Sequence, residues 1–99
     1  MQWVRKMIKS FKCKRTEEIF NLQLSKKLPQ DIQQRARRKL MLIHAATIIE
    51  DLKVPPGNRL EALTGDRKGQ HSIRINNQYR ICFVWDEGDA LEVEITDYH

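Results

Sequence analysis

Ninety-nine residues, 40% hydrophobic and 31% charged, make one domain with a modest core and a well-solvated surface. A net charge of +5 suits phosphate polymers or acidic partners, although a basic surface also serves solubility alone. No apolar run approaches a membrane span, no apolar signal region follows the N-terminal charges, and Cys13 and Cys82 belong to no ligand-like spacing. The expectation is a reduced, cytoplasmic protein with no structural zinc and no membrane partner.

In chain order, Met7-Ile8-Lys9-Ser10-Phe11 alternates apolar and polar residues and predicts a short strand. Thr16 to Gln23 predicts a short helix with Thr16 as N-cap, Glu17 and Glu18 in the first turn, and Ile19, Phe20 and Leu22 on the buried side. A longer helix begins near Pro29, since proline suits the first helical position. Ile32, Ala36, Leu40, Ile43 and Thr47 recur at helical spacing and form its core face. Arg35, Arg37, Arg38 and Lys39 lie on its other sides, where both a solvated face and contact with an RNA backbone fit.

Pro55-Pro56-Gly57-Asn58 breaks the helical pattern, and Arg59-Leu60-Glu61-Ala62-Leu63 reads as a short strand. The charged loop Gly65 to Gln70 leads into three strands: Ser72 to Ile75, Tyr79 to Trp85, and Ala90 to Thr96. Asn76-Asn77-Gln78 and Asp86-Glu87-Gly88-Asp89 are the hairpin turns. The order is β-α-α followed by an antiparallel meander, an α+β fold of two layers.

Strand parity places Tyr79, Ile81, Phe83 and Trp85 on one face and Arg80 on the other. For Ile73 and Ile75 to share that apolar face, Ile75 must pair with Tyr79 across a three-residue turn. Arg74 then stands directly opposite Arg80, an unfavourable pairing that needs compensation. Glu94 on the last strand is one candidate counter-charge; a phosphate ligand is the other. In that strand Leu91, Val93 and Ile95 face the core. The terminal Asp97-Tyr98-His99 reads either as a frayed end or as a site for proton transfer.

Together these segments resemble the HigB-type toxins of the RelE/ParE superfamily. The resemblance runs along nearly the whole chain from Met7. It is carried by Met7-Ile8-Lys9-Ser10-Phe11, Pro56-Gly57-Asn58-Arg59-Leu60, Gly65-Asp66-Arg67-Lys68-Gly69, His71-Ser72-Ile73, Tyr79-Arg80-Ile81 and Asp97-Tyr98-His99. Residues 1–6 precede the usual start, as an extension or an alternative initiation site.

The resemblance implies a single RelE-like domain with two helices packed on a twisted, mainly antiparallel sheet. It implies a ribosome-dependent endoribonuclease, an mRNA interferase that works without metal or cofactor and blocks translation. It also implies a helix-turn-helix antitoxin of the HigA type, through which operator DNA is reached. Glu61, Arg80, Asp97, Tyr98 and His99 become the catalytic set, and Arg59, Arg67, Lys68 and Arg74 the RNA-binding set. Glu61 and Thr64 depart from the pattern, since better-known members carry histidine and lysine there. Glu61 can then accept a proton, or neutralise an arginine and weaken RNA affinity. His71, before a strand, reads as structural, and His44, in a helix, as not catalytic. Two other readings stand beside this one: a gyrase-inhibiting ParE-like toxin, and a non-enzymatic basic nucleic-acid-binding module.

Overall fold

The computed structural model describes residues 8–21 and 30–97. Two helices, α1 (Lys14–Phe20) and α2 (Gln30–Ala45), accompany an antiparallel sheet of β1 (Glu61–Ala62), β2 (Gln70–Arg74), β3 (Tyr79–Asp86) and β4 (Asp89–Asp97), in the order β1-β2-β3-β4. This is the expected α+β architecture. Met7, Leu22, Gln23, Pro29, Tyr98 and His99 lie outside the described residues.

The expected first strand is reduced to two parallel bridges on β4, Ile8 to Ala90 and Phe11 to Val93. The Lys9 amide donates to the Ala90 carbonyl at 2.8 Å, and the Lys12 amide donates to the Val93 carbonyl at 2.9 Å. His44 secures the start of this segment, because its Nδ1 accepts the Ile8 amide at 3.3 Å.

Thr16 is not the cap of α1. The helix starts two residues earlier, behind Cys13, and Thr16 is fully buried within it. Its Oγ1 accepts the Ile95 amide at 3.0 Å, which ties α1 to β4. A buried threonine hydroxyl needs such a partner, and here the sheet supplies it. On α2, Ile32, Ala36, Leu40 and Ile43 are buried as their spacing predicts. Thr47 is exposed instead. The helix ends at Ala45, and the Asp51 carboxylate collects the Thr47 and Ile48 amides at 3.0 and 3.3 Å.

The sheet's core face carries Ile73, Ile75, Ile81, Phe83, Ala90, Val93 and Ile95, packed against Leu40, Ile43 and Leu52. The β3–β4 turn is a two-residue hairpin closed by the Asp86–Asp89 pair. Glu87 (φ 50°) and Gly88 (φ 92°) are both left-handed, the requirement of the hairpin turn that matches strand twist. The expectation for Leu91 fails. The β3–β4 register shifts between Cys82 and Val84, and Glu92 has φ 51°. This extra residue forms a bulge that inverts the parity of what precedes it. Ala90 is therefore fully buried, while Leu91 is only half-buried.

Candidate active site: an arginine cavity on the second face of the sheet

Arg74 pairs directly with Arg80, as strand parity requires. The Tyr79 carbonyl accepts both the Ile75 amide at 2.9 Å and the Asn76 amide at 3.2 Å, which closes the three-residue turn. Asn76 Oδ1 folds back to accept the amides of Gln78 and Tyr79 at 2.9 and 2.7 Å.

The two guanidiniums are held differently. Arg80 is buried to 8% exposure, and a buried charge needs dense hydrogen bonding. Its Nε donates to Ser72 Oγ at 2.8 Å, and its Nη2 donates to the Arg59 carbonyl at 2.8 Å. Arg59 is left-handed (φ 46°, ψ 56°) at the end of a 3-10 turn over Pro56–Asn58. Arg74 is anchored by the loop instead: its Nε donates to the Asn76 carbonyl at 3.1 Å, and its Nη2 bonds Asn77 Oδ1.

The counter-charge of Arg80 is Glu61, not Glu94. Glu61 Oε1 lies 3.3 Å from Arg80 Nη2. Glu94 turns to Arg67 at 3.3 Å, and Arg67 also donates to Gln70 Oε1 at 3.1 Å. Parity alone put Glu94 on the right face. β1 brings a nearer carboxylate by pairing Glu61 with Ser72, the residue that holds Arg80.

Arg59, Arg74, Arg80, Asn76 and Asn77 line a cavity of about 280 Å³, with no carboxylate among the described lining residues. Glu61 and Arg67 border a separate hollow of about 160 Å³ with Ala62, Leu63 and Thr64. The structure thus gathers Arg59, Arg74, Arg80 and Glu61, with Arg67 one hollow away. Lys68 is exposed beyond it. Asp97 pairs with Tyr79 and accepts Gln78 Nε2 at 3.1 Å, so it sits at the turn with the opposite parity to Arg80. Tyr98 and His99 lie outside the described residues.

Four contributing residues were not singled out from the sequence as site residues. Ser72 shares the parity of Arg74 and was findable from that alternation. Asn76 and Asn77 carry only the signal of a turn. Asn58, fully buried, fixes the preceding loop by donating to the Leu52 and Val54 carbonyls at 3.1 and 3.3 Å. Among the described residues no cluster of three or more His, Cys, Asp or Glu side chains is placed to hold a metal ion. Nor is any described helix long and apolar enough to cross a membrane. The cavity's chemistry is that of an anion site: three arginines meet, and a guanidinium fork matches the oxygens of a phosphate.

A family model described as the RelE-like toxin of the type II toxin-antitoxin system HigB matches residues 9–99. Toxin HigB-1 of Vibrio cholerae is 48% identical over 64 residues, 65% of this chain and 67% of that protein. Endoribonuclease HigB of Proteus vulgaris is 36% identical over 93 residues, 94% of this chain and 100% of that protein.

Proposed function

The chain belongs to the HigB family of RelE-like toxins from type II toxin–antitoxin systems, and from that membership we propose an endoribonuclease that cuts messenger RNA in the ribosomal A site. The toxin is one half of a pair, and its antitoxin is assigned here to the helix-turn-helix HigA type, which carries the complex to operator DNA. A ribosomal target places the work in the cytoplasm.

The supporting observation is the cavity of Arg59, Arg74 and Arg80. RNA cleavage without added water begins with the 2′-hydroxyl. The O2′–P bond forms, the P–O5′ bond breaks, and a cyclic phosphate and a 5′-hydroxyl result. Negative charge builds on the phosphoryl oxygens in the transition state, and a preorganised guanidinium stabilises it there. Arg80 takes that role because Ser72 and the Arg59 carbonyl fix its plane before substrate arrives. Arg59 and Arg74 hold the phosphate from the cavity walls. Glu61, half-exposed beside Arg80, accepts the 2′-hydroxyl proton. The leaving oxygen takes its proton from the Asp97, Tyr98 and His99 end, the assignment that family resemblance supplies. Arg67 and Lys68 meet more distant RNA backbone.

The test is translation of a defined mRNA by purified ribosomes, with 5′ ends mapped after toxin addition. Codon-phased cuts that vanish with Arg80→Ala are expected. Intact mRNA together with inhibited gyrase would move the protein to the gyrase-directed branch of the superfamily.

A further inference from the structure

A second groove, about 510 Å³, lies between α2 and the turn after the cis Val54–Pro55 bond. Arg35, Arg38, Lys39, Leu42, Pro55, Gly57 and Ile75 line it. Arg35, Arg38 and Lys39 fall at i, i+3 and i+4, so they share one face of α2. Arg37, the remaining cation of that run, is not among the lining residues. Like charges massed on one wall repel one another. Burial, with further repulsion from Arg35 and Arg74, holds the Lys39 ammonium below the ordinary lysine range. No carboxylate appears among the described lining residues.

The groove lies close to the arginine cavity, although the two share no lining residue and Arg74 and Ile75 point to opposite faces of the sheet. Arg74 lines the cavity and repels Lys39, and its neighbour Ile75 lines the groove. The lining is mixed in chemistry: three cations share the groove with Leu42, Pro55 and Ile75. We propose that this groove holds the nucleotides flanking the cleaved bond on the same RNA strand, with phosphates on Arg35, Arg38 and Lys39 and bases against Leu42, Pro55 and Ile75. The proposal rests on the RNA reading of the Arg80 cavity. An acidic peptide fits less well, because Ile75, just past the end of β2, already donates its amide to Tyr79 and offers no ladder for a peptide to join.

The test uses single-stranded RNA with a 2′-deoxy block at the cut site, so that binding is read without cleavage. One probe fills the arginine cavity alone; the other is about ten nucleotides long, within the usual span of single-strand sites. Anisotropy is followed against salt for the wild type and for the double variant Arg35→Gln/Arg38→Gln, both positions being exposed. The long probe should bind the variant on the order of tenfold more weakly. Its salt slope should fall by about 1.4, roughly 0.7 per lost phosphate contact, while the short probe is unaffected. Equal binding of the long probe by both proteins overturns the groove proposal and leaves the Arg80 reading standing. Failure of the wild type to bind the long probe also overturns the groove proposal, while the Arg80 reading stands or falls separately on the ribosome cleavage test. A variant that keeps RNA binding but loses its antitoxin assigns the groove to a protein partner instead.

Discussion

Arg74 and Arg80 face each other across β2 and β3, yet only Arg80 is buried and anchored by the sheet. Arg74 takes its acceptors from Asn76 and Asn77 of the turn. Substitution by lysine separates the two roles. An ammonium keeps the charge but cannot serve Ser72, the Arg59 carbonyl and a phosphate in one plane. Arg80→Lys should lower cleavage by about 10²- to 10³-fold, the usual loss when one oriented donor to a developing oxyanion is removed. Arg74→Lys should cost far less and should weaken binding rather than turnover. Single-turnover cleavage rates on programmed ribosomes check the order; equal losses would contradict it.

Glu61→Gln gives a test whose sign decides the role of this carboxylate. As the proton acceptor, Glu61 contributes to the chemical step, and its loss should slow turnover by about 10²-fold. Removing its charge from the Arg80 guanidinium should at the same time tighten RNA binding. A faster enzyme with tighter binding would make Glu61 a counter-ion only. Separate kcat and KM values distinguish these outcomes.

Thr16→Val removes the acceptor for the Ile95 amide without changing side-chain volume much. A buried donor left unsatisfied costs about 1–3 kcal/mol. For a domain of this size that corresponds to a fall in Tm on the order of 5–20 °C. Thr16→Ser keeps the hydroxyl and should lose much less. Thermal melts of both variants check the point.

Lys39 gives a pH signature. Its charged form is disfavoured in the folded protein, first by burial and then by Arg35 and Arg74. The cost is therefore fully present below the lowered folded pKa, where folded and unfolded chains both carry the proton. It is relieved as pH rises through the lowered folded pKa toward the ordinary value of 10.5. Relative to Lys39→Met, the wild type should gain stability across that alkaline window. Denaturant melts of the pair at several alkaline pH values measure it; a constant difference would contradict the lowered pKa.

The sequence was most legible where one face had to be apolar. Ile73, Ile75, Ile81 and Phe83 forced the register that sets Arg74 against Arg80. Period-based reasoning stopped at the Glu92 bulge, because an added residue changes parity without any local sign beyond a left-handed φ. It also stopped at Glu61. A strand of only two residues carries no period, so its pairing with Ser72 depends on where the Pro56–Asn58 turn releases the chain. Thr16 was misplaced for another reason: its hydroxyl served a distant strand as readily as a helix end, and local preference cannot choose between them.

The segment at residues 8–12 lies along β4, and β1 at the opposite margin is two residues long. Exposed strand margins are templates on which other chains can assemble. Here the Ala90–Val93 part of one margin is occupied by the molecule's own residues 8–12, and the strand at the other margin is two residues long. Along Ala90–Val93 the sheet is thereby guarded against backbone pairing with another chain.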